Sequence, residues 1–484
     1  MNLKVITRNV GYALLVSALF MFLSILVSVW NGNDSALAAL LISFTITFLV
    51  GIFPFIFVRK PGAISLKDGY MIIFLSWLLS FIFGMLPYVL WGGPFSVVNA
   101  WFESVSGFTT TGATILERVE VLPRSLLFWR SSTHFIGGLG VVVFLLLIIP
   151  SSSPVRLRLT NMELSALSRS MYRARSNKIV FIFAYVYLGL AVVSFFSYWA
   201  AGMSAFDAIC HAFSVTATGG FSTHTLSIGA FSSPLINILT IIFMMVSSTH
   251  FALTYSVVVT RSLRALRNPV LRYYVWSLVI VSALIAFSLK FRAVDATWGK
   301  SVMDAVFQTV CYASTSGFAI ADNATWPIFP CILLMCMGIQ CGMAGSTTGG
   351  VKSDRVVLLL KAIGKQVKQS VHPTSISGVK VGTRSFTNEE IYPHILYLAV
   401  YFFFIVLSVM FCLLLGGDGI HSMAGSISSL GNVGPALGDL GTYGNYNAEP
   451  TGVKLVYTLD MFLGRVEIYP VLAVLSMIFS RNKN

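Results

Sequence analysis

Four short segments of this 484-residue chain carry the same residue types at the same spacing. NAWFESVSGFTTTGA ends on Gly112 and Ala113, and DAICHAFSVTATGGF ends on Gly220 and Phe221. DAVFQTVCYASTSGF ends on Gly317 and Phe318, and HSMAGSISSLGNVGP on Gly434 and Pro435. A polar residue stands 13 positions before each glycine (Asn99, Asp207, Asp304, His421), followed by a small one (Ala100, Ala208, Ala305, Ser422). A short polar residue stands two before it (Thr110, Thr218, Thr315, Asn432). Asn and Asp cap helix N-termini, so each segment predicts a short helix starting there. About 12 helical residues reach roughly 18 Å, too short to cross a membrane. Such a helix points the negative end of its dipole inward. The glycine beyond it allows a backbone that cannot complete helical hydrogen bonds. Within a bilayer such a backbone survives only where it is buried or lines a water-filled path. Carbonyl groups and helix C-termini from four segments suit a dehydrated cation. One such match would indicate helix packing through small residues; four at one offset point to a pore.

The elements that must hold these segments are membrane spans. Hydrophobic residues make up 56% of the chain, charged ones only 10%, and mean hydropathy is +0.82. A soluble domain carries roughly 25% charged residues, and disorder needs low hydrophobicity, so both are excluded. Ten stretches have the length of a membrane helix: 11–30, 37–58, 69–91, 126–149, 178–201, 233–260, 269–291, 327–360, 391–416 and 452–480. A span precedes and follows each re-entrant segment, and the glycines lie 108, 97 and 117 residues apart. The fold class is therefore an all-α integral membrane protein. It has two N-terminal transmembrane helices and then four membrane–pore helix–membrane repeats around a central ion pathway. The expected divisions are 1–66 for the N-terminal pair, then 67–150, 151–261, 262–385 and 386–484 for the repeats.

The formal charge of +14 resolves by side. With the N-terminus inside, 24 of the 32 basic residues but five acids fall on the inner face, for a net +19. The outer face holds seven basic and 11 acidic residues, a net −4, and the last span holds Arg465, Asp460 and Glu467. Orientation follows the Lys/Arg bias, which places both termini in the cytoplasm. The basic excess is thus topological, and no nucleic-acid partner is expected. The acid-rich outer face is suited to concentrating cations. The basic inner segments 150–177 and 361–390 are long enough to touch a partner or anionic lipid. The six cysteines (Cys210, Cys311, Cys331, Cys336, Cys341, Cys412) form no CxxC pair and read as small apolar residues. The seven histidines offer no metal-ligand spacing, and no nucleophile–base arrangement suggests an enzyme.

These motifs resemble the Trk/Ktr/HKT superfamily of cation transporters. The resemblance is carried by SGFTTTGAT at 106–114, GGFSTH at 219–224, TSGF at 315–318, GNVGPALG at 431–438, GMAGSTTGG at 342–350 and LGRVEIYP at 463–470. It covers nearly the whole chain. It implies potassium uptake across the cell inner membrane, with potassium as the transported ion and no bound cofactor. It also implies a selectivity filter at Thr110, Thr111, Gly112, Thr218, Gly219, Gly220, Thr315, Ser316, Gly317, Asn432, Val433 and Gly434. Glycine in all four repeats goes with potassium, and a serine at Gly112 would go with sodium. The implied partners are a second copy of the chain and a cytosolic nucleotide-binding ring of the TrkA-like type. A sodium-permeable or sodium-coupled relative is the first alternative, and a carrier for an organic solute the second. Channel and ion-coupled symport are both compatible with these motifs.

Span 327–360 is interrupted by Gly342, Gly345, Ser346, Thr347, Thr348, Gly349 and Gly350. Each glycine costs a helix roughly 1 kcal/mol relative to alanine. A helix broken at membrane depth lines a cavity, and the resemblance makes this loop a gate below the filter. A nucleotide P-loop is rejected, because Val351 intrudes before Lys352 and Ser353 and no strand precedes. Arg465 sits within the last span, where a charge costs at least about 2.5–3.5 kcal/mol and must find partners. Asp460 and Glu467 are five and two residues away, which on a helix is the wrong face. The carbonyls of the glycine-rich loop are the favoured partner, and the resemblance makes Arg465 part of the ion barrier.

Overall fold

The computed structural model describes residues 2–58, 65–148, 176–261, 266–373, 378–382 and 384–480. The basic segment 150–177 therefore lies almost wholly outside the described residues, as do several of the basic residues assigned to the inner face. Helices α1 (Leu3–Trp30) and α2 (Leu37–Phe57) form an N-terminal hairpin. They cross closely at Gly11 and Gly51, where a Cβ on Gly11 would come within 2.7 Å of the Gly51 carbonyl oxygen. Small residues at a membrane crossing permit this backbone approach.

Four units follow, each a long helix, a short helix and a second, broken helix. The first has α3 (Leu66–Gly84) continued by α4 (Leu86–Trp91), the short α5 (Val97–Phe108), and α6 (Arg124–Ile148). The second has α7 (Ser176–Ala200), the short α8 (Ala205–Ala217), then α9 (Pro234–Ser248) and α10 (Phe251–Thr260). The third has α11 (Pro269–Phe291), the short α12 (Trp298–Ala313), then α13 (Ile328–Gln340) and α14 (Ser353–Val371). The fourth has α15 (Asn388–Leu414), the short α16 (Gly419–Gly431), then α17 (Thr451–Val466) and α18 (Ile468–Ser480). A two-stranded antiparallel hairpin, β1 (Val379–Val381) with β2 (Arg384–Phe386), packs against α14.

Among the described residues, six helical stretches are individually long and apolar enough to cross a membrane. The second helix of every unit is interrupted. Residue Gly140 leaves helical geometry at φ 67°, and Glu467 separates α17 from α18 at φ 64°. Helices α9 and α10 meet at 106°. The sequence pattern predicted an uninterrupted 233–260, so this bend is a correction. No glycine or proline marks it; His250 makes the corner by accepting the Ala252 amide at Nδ1, 3.0 Å. The short helices also start earlier than the capping argument placed them. Ser96, Ser204, Thr297 and Asp418 are the N-caps. Asn99, Asp207 and His421 lie three residues inside, and Asp304 deeper still.

Candidate functional site: a closed ring of glycines above a glycine-rich loop

The four short helices end identically. Thr110, Thr218, Thr315 and Asn432 are left-handed, with φ between 53° and 56°. The next residue donates its amide back to the carbonyl five residues earlier. These bonds run from Thr111 to Ser106 O (2.9 Å), Gly219 to Ser214 O (2.9 Å), Ser316 to Cys311 O (3.0 Å) and Val433 to Ser428 O (2.9 Å). This is a Schellman ending with a non-glycine residue in the left-handed position. The glycine that follows also has positive φ: 81° at Gly112 and Gly220, 69° at Gly317, and 98° at Gly434.

The four glycines close into a ring. A Cβ on Gly112 would strike the Gly219 carbonyl oxygen, and one on Gly220 the Ser316 oxygen. One on Gly317 would come within 2.8 Å of the Val433 oxygen, and one on Gly434 would strike the Thr111 oxygen. Each unit thus abuts the carbonyl of the next, in the order one, two, three, four and back to one. Gly112, Gly220, Gly317 and Gly434 line a single cavity of about 60 Å³ with Arg130, His224, Thr225 and Tyr446. Asn432 Nδ2 ties the fourth unit to the first by donating to Thr111 Oγ1 at 3.0 Å, and to Met461 O at 2.8 Å.

The loop between α13 and α14 lies directly against this ring. Thr347 Oγ1 is 3.3 Å from the Thr216 carbonyl at the end of α8, and the Gly349 amide donates to Thr315 Oγ1 at 3.2 Å. The loop is also held at the α9–α10 corner: Met343 N donates to Ser248 O (2.9 Å), and Phe251 N to Gly345 O (3.0 Å). A Cβ on Gly345 would meet the His250 ring at 2.9 Å, so the corner and the loop need each other. Ser346 Oγ donates to Met343 O at 2.6 Å and lies 2.8 Å from Thr348 Oγ1. Gly342 and Gly350 line the turn's close contacts with Ser248 and Cys341.

Arg465 reaches this loop. Its guanidinium donates to Thr347 O at 2.6 Å, to Gly137 O at 2.6 Å and to Gly138 O at 3.3 Å. The two acids near it in sequence turn elsewhere. Asp460 accepts from Ser408, and Glu467 pairs with Arg355 at 3.0 Å. A second cation, missed in the sequence reading, stands at the same loop: Lys352 Nζ donates to Thr348 O and, at 3.2 Å, to Thr348 Oγ1. Arg130 is also misplaced by the charge partition. Counted on the outer face, it lies buried in α6, 2.6 Å from Glu103.

Beside that cavity, Glu120 accepts from Thr225, through its hydroxyl and, at 2.8 Å, its amide. Burial works against the Glu120 carboxylate, but these bonds outweigh it and hold its pKa below the ordinary 4.5. The amides of His421 and Ile420 likewise lower the pKa of Asp418, the cap of α16. A lowered carboxylate supplies stability above its unfolded pKa and loses it as pH falls through the folded value. The thermal midpoint of the Glu120→Gln variant is therefore expected to lie below wild type at neutral pH. The two should converge below about pH 4. A gap that persisted in acid would refute this account.

The geometry defines a helical membrane protein in which four short helices end at glycines that close into one ring. Residues 37–484 match the TrkH family, described as cation transport proteins, and the chain belongs to that family. The Trk system potassium uptake protein TrkH of Escherichia coli K12 is 32% identical over 99% of this chain and 100% of its own length. TrkH of Halomonas elongata is also 32% identical, over 99% and 100%. The crystal structure of the potassium transporter TrkH from Vibrio parahaemolyticus superposes with a TM-score of 0.88. It is 28% identical and covers 98% of this chain and 99% of that one.

Proposed function

We propose that this chain takes up potassium across the cell inner membrane. The closed ring of four glycine-flanked carbonyl sets is the observation that carries the reading. Thr110, Thr111 and Gly112, Thr218 to Gly220, Thr315 to Gly317, and Asn432 to Gly434 form the filter. Their carbonyls replace the water of an entering potassium ion, and four dipole C-termini add negative potential. The mouth faces outward and both termini face the cytoplasm. The loop from Gly342 to Gly350 is the gate. Two cations, Arg465 and Lys352, hold it across the axis, and it must withdraw before an ion can pass. The chain works as a homodimer with a TrkA-like nucleotide-binding ring, which acts on the gate from the cytoplasm.

The test is growth of a potassium-uptake-deficient cell on low potassium, with the chain expressed alone and with a TrkA-like ring subunit. Rescue by potassium that excess sodium does not abolish is expected. No rescue in either arm, from protein present in the membrane, would overturn the reading.

A further inference from the structure

The position nine residues before each ring glycine reaches the chain just beyond that glycine, with different chemistry in each unit. In the first unit it is Glu103, whose carboxylate accepts the Ile115 amide at 3.1 Å and the Thr114 hydroxyl at 3.0 Å. In the second, His211 Nε2 lies 2.9 Å from Ser222 Oγ. In the third, Gln308 Nε2 donates to Ala321 O at 3.2 Å. In the fourth it is Gly425, and the Tyr457 ring occupies the space a side chain would need. There Tyr446 takes over, donating its hydroxyl to Gly434 O at 2.9 Å.

Only the first of these positions is ionic. Glu103 is fully buried and pairs with Arg130 Nε at 2.6 Å, and the Arg130 side chain is 3% exposed. Arg130 then crosses to the second unit. It donates to Ser222 O at 3.0 Å, and its guanidinium stacks 3.5 Å over the Phe221 ring. Arg130 lines the cavity that the four ring glycines line. A buried ion pair adds little stability over an apolar pair of the same volume. A bare guanidinium in the wall of a cation path would repel the ion.

We infer that Glu103 and Arg130 form one neutral positioning unit for the filter. Together they fix residues 114–115 of the first unit against 221–222 of the second, and Glu103 cancels the charge that Arg130 brings to the mouth. The inference rests on the filter reading above.

The test uses the full chain in liposomes, with rubidium uptake competed by potassium and by sodium. Glu103→Gln leaves the guanidinium uncancelled, so apparent potassium affinity should fall about tenfold. Arg130→Gln leaves the carboxylate, so affinity should hold or rise while potassium-over-sodium discrimination falls. The double variant restores neutrality and should recover affinity without recovering discrimination. A packing role alone would not make the sign of the affinity change follow charge. Affinity and discrimination unchanged in both single variants would overturn the proposal, as would affinity shifts of one sign in both. If a charge variant fails to fold, Thr114→Val decides, because it removes one hydrogen bond to Glu103 without altering charge. Reduced discrimination supports the unit, and wild-type discrimination rejects it. Gly112→Ser, run in parallel, separates this idea from its premise. If that variant shifts selectivity and the Glu103 and Arg130 variants do not, the positioning unit falls and the filter stands.

Discussion

Gly112→Ser should erode the preference for potassium over sodium by about tenfold or more, because ring carbonyls must move to admit the new side chain. The serine Cβ would be driven into the Gly219 carbonyl oxygen of the neighbouring unit. That oxygen belongs to the ring itself, so relief of the clash displaces a carbonyl that the filter reading makes an ion ligand. A side chain at φ 81° carries a further penalty of roughly 1–2 kcal/mol. Gly299 is the control: a Cβ there meets nothing within 4 Å, and its φ lies outside the left-handed region. Gly299→Ser should match wild type. Rubidium uptake competed by each cation reads the effect. Unaltered selectivity in Gly112→Ser would remove the filter assignment.

Arg465→Ala is expected to raise basal rubidium flux in liposomes lacking any ring subunit by roughly tenfold or more, since each orphaned buried acceptor costs about 1–3 kcal/mol. Arg465 is the strut between the Thr347 carbonyl of the loop and the Gly137 and Gly138 carbonyls of α6. Its loss removes one hydrogen bond from each of those acceptors and, on the gate reading, a positive charge from the ion's path. Both changes favour the open loop. Arg465→Lys keeps the charge but cannot reach both sides at once with a planar fork, so its flux should be intermediate. Unchanged flux in the alanine variant would show that Arg465 is no barrier.

Much of this site was legible because its elements are local. Four segments share an offset, and each fits a short helix with a glycine after it. Helix geometry alone turned Arg465 away from Asp460 and Glu467 and toward the loop, where it is found. The left-handed residue was harder to see, because the pattern drew attention to the glycines. Thr110, Thr218 and Thr315 are β-branched and take that conformation only because ring packing and the Schellman bonds impose it. The corner at Thr249 and His250 carries no breaker residue; the His250 side chain and the loop at Gly345 together hold it. Glu103 and Arg130 are 27 residues apart and were assigned by topology to one aqueous face. Their burial is a tertiary fact, set by where α6 packs against α5. The capping serines and threonine lay just outside the aligned segments, three or more residues before the polar position that drew the assignment.

The ring closes within one polypeptide, and its four contact residues differ: Thr111, Gly219, Ser316 and Val433. A pore assembled from four identical chains receives any substitution four times over. Here a codon change alters one quadrant and leaves three untouched. On the filter reading, ion preference is therefore open to change one quadrant at a time.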